Sequence, residues 1–208
     1  MTAVRRTEPE RPRIGRKPST THAELEGVAL NLFVSRGFDE TSIDDIAAAA
    51  GIARRTFFRY YPSKSDLVWG EFGKELLRMQ TWFDACPPEV PLMEAIHQAV
   101  LVFNRLPGDQ VAQHRRRMSL ILGVPTLLAN STLRFAQWRA VVADFAARRL
   151  GLRPDDLLPE VVGYTALGAT LAGYEQWLRD DASDLTDLLD RALGELAVGF
   201  EHHGRAGS

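Results

Sequence analysis

The stretch GIARRTFFRYYPSKSDL, Gly51 to Leu67, decides how this chain is read. It interleaves Arg54, Arg55, Arg59 and Lys64 with Phe57, Phe58, Tyr60 and Tyr61. A helix buried on every side has no place for the guanidinium groups, and a fully solvated helix has none for four aromatic rings. At helical spacing Phe57 and Tyr61 lie one turn apart and continue the apolar pattern of Ile46 and Ile52, so they face inward. Arg54, Arg55, Phe58 and Arg59 fall on the other faces. One side of this segment grips a core, and the other is offered to a partner.

The residues upstream say what kind of partner. Thr21-His-Ala-Glu24, Ser42-Ile-Asp-Asp45 and Ser63-Lys-Ser-Asp66 each set a hydroxyl three residues before an acid, a helix-start signature. The first helix carries Leu25, Val28, Ala29, Leu32 and Phe33 on one stripe and stops at Gly37. The second runs from Ser42 through Ile46, Ala47 and Ala50, Gly51 turns the chain, and a short third helix starts near Ala53. Two short helices joined by a glycine turn form a helix-turn-helix. The second helix of that motif offers its N-terminal residues to base edges in the major groove. Arg54, Arg55 and Arg59 suit guanine, and the exposed ring of Phe58 suits a thymine methyl. Thr56 borders the core and reads equally as packing or contact. Tyr60 and Lys64 suit phosphate oxygens, as do Thr41 and Ser42 at a helix N-terminus. Residues 1–64 carry a net charge of +3 and the remainder −5, so the basic head alone fits an anionic partner. Before it, Arg13, Arg16 and Lys17 read either as an arm for a minor groove or as a solvated tail.

The segment GFDETSIDDIAAAAGIARRTFFRYYPSKSDL resembles the DNA-binding head of the TetR family of bacterial repressors. The matching marks include Gly37-Phe38, Thr41-Ser42, Ala50-Gly51-Ile52, Thr56-Phe57-Phe58, Tyr60-Tyr61-Pro62 and Lys64. The resemblance implies an all-α homodimer whose C-terminal half binds a small molecule and thereby releases a double-stranded DNA operator. It places DNA contacts on Thr41, Ser42, Arg54, Arg55, Thr56, Phe58, Arg59, Tyr60 and Lys64. The implied division is a basic arm over 1–18, a helix-turn-helix domain over 19–65, a ligand-binding and dimerisation domain over 66–203 and a tail over 204–208.

Downstream the chain reads as amphipathic helices. One is expected to run unbroken from Ser63 to Cys86, about 33 Å, as a rod from the DNA to the body. Met79, Phe83, Phe103, Met118 and Trp138 lie on apolar stripes, read as core or as the lining of an apolar cavity. Arg115, Arg116 and Arg117 interrupt such a stripe. They form either a solvated face or, with Arg134 and Arg139, an anion-binding rim above the cavity. His114 reads as a packed histidine. The small residues Gly163, Ala166, Ala169, Thr170 and Gly173, with Leu185, Leu189, Ala192 and Leu196, read as a helix-bundle seam between subunits or as an intramolecular core.

Composition and motifs narrow the rest. A single cysteine, Cys86, rules out an intramolecular disulfide. The N-terminus has no secretory pattern and no run spans a bilayer, so a cytoplasmic protein without membrane contact is expected. Neither a hydrolase elbow, a zinc-protease motif nor a phosphate loop occurs. No catalytic residue, metal ligand or cofactor is therefore assigned, and an enzyme acting on acyl thioesters through Cys86 stays a rival reading. RRTFFRYYPSKSD, WGEF, HRRRM and STLRFAQWRAVVADF resemble the branch of the TetR family associated with mycofactocin biosynthesis. That resemblance implies a repressor whose effector is a long-chain acyl-CoA; an unrelated hydrophobic molecule is the alternative. The implied ligand-binding residues are Met79, Phe83, Phe103, Arg117, Met118, Arg134 and Trp138.

Overall fold

In the computed structural model residues 20–199 are described, so the expected contacts of Arg16 and Lys17 fall outside the described residues. These residues form ten α-helices and no strand. Helix α1 (His22–Arg36) begins where the Thr21 hydroxyl accepts the Glu24 amide N–H and the Glu24 carboxylate accepts that of Thr21 at 2.8 Å. Ser42 and Asp45 start α2 (Ile43–Ala49) in the same reciprocal way. Each such cap satisfies amide groups that a helix start leaves open. Helices α3 (Arg54–Tyr60) and α4 (Lys64–Trp69) follow. Phe57, fully buried, closes a small core with Leu25, Ala29, Phe33 and Ile46, and the rings of Phe33 and Phe38 meet at 5.0 Å. Burying a side chain of this size stabilises by about 1.5–3 kcal/mol. That is how a head of four short helices holds together.

The unbroken rod expected from Ser63 to Cys86 is two helices. The chain turns at Gly70 (φ +58°) and restarts as α5 (Phe72–Ala85). Apolar periodicity runs through this break, which is why the sequence conceals it. A Cβ at position 70 would sit 3.1 Å from Glu26 Oε1 and 3.2 Å from Arg117 Nη1, so a side chain would crowd both groups as well as strain the positive φ that glycine takes freely. The break lies where α1, α4 and α7 meet.

The body comprises α6 (Leu92–Phe103), α7 (Gly108–Gly123), α8 (Pro125–Leu150), α9 (Leu157–Arg179) and α10 (Leu185–Ala197). The head docks on α7 through α1 and α4, while α9 packs between α8 and α10. Met79 and Phe83 of α5 are buried, and Phe83 stacks on Phe145 of α8 at 4.2 Å. The expected subunit seam needs correcting. Leu189 is 0 % exposed within one chain, against Gly173, where a Cβ would approach Leu189 Cδ2 to 2.8 Å. Gly173 of α9 therefore admits α10 of the same chain, and Gly163 lets α9 approach the backbone of Arg139 on α8. What α9 leaves open is another stripe at helical spacing, with Leu157 80 %, Val161 43 % and Tyr164 56 % exposed. Among the described residues no helix is long and apolar enough to cross a membrane.

Candidate DNA interface and ligand cavity

The outer face of the head is α3. Ala53, Arg55, Thr56, Phe58 and Arg59 line one open depression there. Phe58 is 45 % exposed, held edge-on against Phe57, and the Arg54 guanidinium lies 5.5 Å from its ring centre. Arg54 also pairs with Asp44 of α2 at 2.7 Å, and Arg59 lies over Tyr60. Arg55 is exposed, and no side-chain partner holds it among the described residues. Thr56 is half-buried at the edge of the core.

The expected phosphate contacts divide. Ser42 is exposed at the α2 N-terminus, and its hydrogen bonds hold the Asp45 carboxyl below the usual carboxylate range. Thr41, by contrast, is fully buried and its hydroxyl donates to Gly37 O at 2.7 Å, which removes it from any phosphate. The Lys64 ammonium donates to Phe38 O at 2.6 Å, Thr41 O at 3.0 Å and Asp39 O at 3.3 Å. Three donors meet three carbonyls, so this lysine latches the loop between α1 and α2. The Tyr60 hydroxyl donates to Thr20 O and its ring packs edge-on against His22. Arg55, Phe58, Arg59 and Ser42 are the groups left turned outward.

Beneath the head lies a cavity of about 630 Å³, within the range of small-molecule sites. Its walls come from α1 (His22, Glu26), the Gly70 turn (Trp69, Phe72) and the body (Phe103, Met118, Trp138). Of the expected ligand residues it brings together Phe103, Arg117, Met118 and Trp138, whereas Met79, Phe83 and Arg134 do not line it. Polar groups cross its body side as one chain. Asn104 Nδ2 donates to Val100 O at 2.8 Å, which turns Oδ1 toward the Tyr174 hydroxyl as an acceptor. Tyr174 therefore donates to Asn104 and accepts from His114 Nε2–H at 2.8 Å. Burial, helped by the charge of Arg117, pulls His114 down to about 4, and burial pushes the Tyr174 hydroxyl up. Both are neutral at pH 7.

The head side is ionic. Arg117 Nη2 donates to Glu26 Oε2, while the Tyr61 hydroxyl donates to Glu26 Oε1 at 2.5 Å. Tyr61 caps the C-terminal end of α3, and His22 Nδ1 lies 3.0 Å from its oxygen. Burial first, then the bond to Glu26, pushes the Tyr61 hydroxyl well above its ordinary value. Two donors beside this pair, Arg117 Nε and Trp69 Nε1, are buried with no hydrogen-bond partner among the described residues.

The arginines expected to form a rim hold the protein's own groups instead. Arg115 donates to Trp177 O and reaches Asp181 at 3.1 Å; Arg116 donates to Asn31 Oδ1 at 3.0 Å. Arg134 pairs with Asp66 at 2.8 Å, and Arg139 lies 4.0 Å from the Tyr164 ring centre. Arg78 and Arg105, passed over in the sequence because no motif surrounds them, line the cavity's edge beside Glu71 and Glu75. Glu26 and Trp69 were equally hidden, being single residues inside ordinary amphipathic helices. Cys86 does not line the cavity.

Residues 27–68 match the family model described as bacterial regulatory proteins, tetR family, and residues 90–201 match that of the MftR C-terminal domain. The chain belongs to the TetR family and is a helix-turn-helix transcriptional regulator. It is 42 % identical over 193 residues to the protein of Mycobacterium tuberculosis named as the mycofactocin biosynthesis transcriptional regulator MftR, covering 93 % of this chain and 98 % of that one. In fold it is similar to FadR of Bacillus subtilis, solved in complex with stearoyl-CoA (TM-score 0.62, 14 % identity, 86 % of this chain and 99 % of that chain). It is also similar to FadR of Thermus thermophilus, solved in complex with lauroyl-CoA (TM-score 0.54, 21 % identity, 86 % and 94 % covered).

Proposed function

We propose that this chain is a cytoplasmic repressor that binds a pseudo-palindromic operator as a homodimer and is released by a long-chain acyl-CoA. The observation that carries the reading is the cavity of about 630 Å³ walled jointly by α1 of the head and by the body. A ligand there touches the DNA-binding unit directly. Its size and its apolar surfaces from Phe72, Phe103, Met118 and Trp138 suit an acyl chain, and the two FadR structures hold such ligands. With Arg115, Arg116, Arg117 and Arg134 engaged internally and Arg78 paired with Glu75 at 2.6 Å, the nucleotide phosphates would meet Arg105 first, and Arg78 once it leaves Glu75. Since Glu71 and Glu75 sit beside those two, an uncharged hydrophobic effector is the second reading that this edge favours.

Base reading is assigned to Arg55, Phe58 and Arg59, with Arg54 joining once it leaves Asp44. Ser42 marks the backbone contact. The dimer would use the open α9 stripe of Leu157, Val161 and Tyr164; to bind adjacent major grooves it must set its two recognition helices about 34–36 Å apart. No catalytic step is part of this function, and the cavity offers no cysteine to an acyl thioester.

The test is a titration of acyl-CoAs of increasing chain length into the operator complex, with free CoA and free fatty acid as controls. Each buried methylene contributes about 0.8 kcal/mol before the costs of binding, so release should strengthen with length until the cavity is full. An operator complex indifferent to both chain length and the CoA moiety removes acyl-CoA as the effector.

A further inference from the structure

Between the cavity and the recognition helix stand three side chains in direct contact. Arg117 comes from α7 and Glu26 from α1, and both line the cavity. Tyr61 ends α3. Glu26 is 8 % exposed and its carboxylate is shared, one oxygen taking the Arg117 guanidinium and the other the Tyr61 hydroxyl. Arg117 also lies against the Gly70 turn, where α4 gives way to α5. One ion pair thus touches α1, the end of α3, the α4–α5 turn and α7.

The arrangement is held but not saturated. Arg117 Nε and Trp69 Nε1 are buried donors without partners among the described residues, and both residues line the cavity. A buried donor left unmet is unfavourable, so an acceptor that reaches either of them is favoured. A guanidinium whose carboxylate partner is shared with a hydroxyl is open to competition from a second oxygen acceptor.

Building on the ligand-released reading above, we propose that Glu26 is the relay between cavity and DNA: an acceptor oxygen of the ligand, carbonyl or carboxylate, draws Arg117 away from Glu26 and so frees Tyr61 and the end of α3. Ligand chemistry enters through Arg117 and Trp69. Glu26 and Tyr61 are positioning residues that carry the change, and Gly70 supplies the backbone freedom for α4 to follow. In the ligand-free protein the Arg117–Glu26 and Glu26–Tyr61 contacts hold the end of α3 against α1 in its DNA-competent setting.

Two measurements on the full chain separate this relay from the identity of the effector. The first needs no ligand: hydrogen exchange of Arg117→Met and Tyr61→Phe. Arg117 makes no hydrogen bond to α3 among the described residues, so a local effect would stay on α7, the Gly70 turn and its partner helix α1. The relay predicts that Arg117→Met speeds exchange of the α3 amides about fivefold or more beyond whatever change the lost ion pair brings to α9 and α10. Unchanged α3 amides in Arg117→Met overturn the relay, whatever Tyr61→Phe does at its own helix end. The second uses palmitoyl-CoA and reads the ratio of operator affinities without and with it. Tyr61→Phe lies outside the cavity, so palmitoyl-CoA affinity should stay within about twofold while that ratio falls about fivefold or more. A Tyr61→Phe protein that is released as fully as the parent overturns the relay. If palmitoyl-CoA does not release the parent protein, the effector assignment fails and the exchange measurement alone decides the relay.

Discussion

On α3, Arg55 and Arg59 project from a short helix with neither carboxylate nor carbonyl to hold them, beside the exposed ring of Phe58. On α7, Arg115, Arg116 and Arg117 stand in one continuous run, and every one of them is tied to another helix or to the loop after it. The two clusters look alike on paper. Their difference is what surrounds them: α3 packs by one side, through Phe57 with Thr56 and Tyr60 at its edge, and turns Arg55, Phe58 and Arg59 outward, whereas α7 lies between α1, α8 and α9. A cationic run on an exposed helix recognises something outside the chain, and the same run on a central helix clasps the chain's own elements together. Arg116 and Arg117 clasp the head and Arg115 the end of α9, which makes α7 the floor on which the DNA-binding unit stands.

The contrast breaks most visibly at the buried pair. Arg117→Ala leaves the Glu26 carboxylate uncompensated and should destabilise the fold by about 3 kcal/mol, the low end for a broken buried pair because the cavity admits some solvent. Urea unfolding measures it, and replacing both partners by Leu and Met should recover most of the loss. A loss under about 0.5 kcal/mol, ordinary for a surface change, would mean that Arg117 is as free as Arg55.

The next effect is on pH dependence. Burial first, then the charge of Arg117, holds the His114 imidazole down at about 4 in the folded protein against an ordinary value of 6.5. The unfolded chain therefore binds the extra proton between those values, so stability is whole above about pH 6.5 and falls as the pH drops toward 4. The difference is on the order of 2–3 kcal/mol. Unfolding curves of the parent and of His114→Gln, which keeps a donor for Tyr174, should diverge across that window. Parallel curves would mean that the imidazole is solvated rather than packed among Tyr174 and Trp177.

Smallest is Arg116→Ala. Its bond to Asn31 is exposed and should contribute no more than about 0.5 kcal/mol to stability. A larger loss in thermal unfolding would make α7 a stronger clasp than described.

Much of this was legible in the sequence, for reasons that are local. The capping boxes at Thr21 and Ser42, the Gly51 turn and the inward pair Phe57 and Tyr61 are set by residues within one or two turns of each other, and the structure holds them as read. The break at Gly70 was not legible, because Val68, Phe72 and Leu76 keep their helical spacing across it. Its cause is tertiary: Glu26 and Arg117 converge on that glycine from helices far away in the chain. The same holds for Lys64 and Thr41, whose types suit phosphates but whose partners are carbonyls of the loop after α1. It holds too for Leu189, whose heptad-like spacing fits a subunit seam and an intramolecular one equally well. Periodicity reports that a face is buried and leaves open what buries it.

The most direct measurement is the binding of Arg55→Ala to a duplex selected from random sequence by the parent protein, set against a scrambled duplex at the same salt. If α3 reads bases, Arg55→Ala loses about 1–3 kcal/mol on the selected duplex, keeps its affinity for the scrambled one and unfolds at the parent's urea midpoint. A variant that binds the selected duplex as tightly as the parent would contradict the assignment of α3 as the surface that reads DNA.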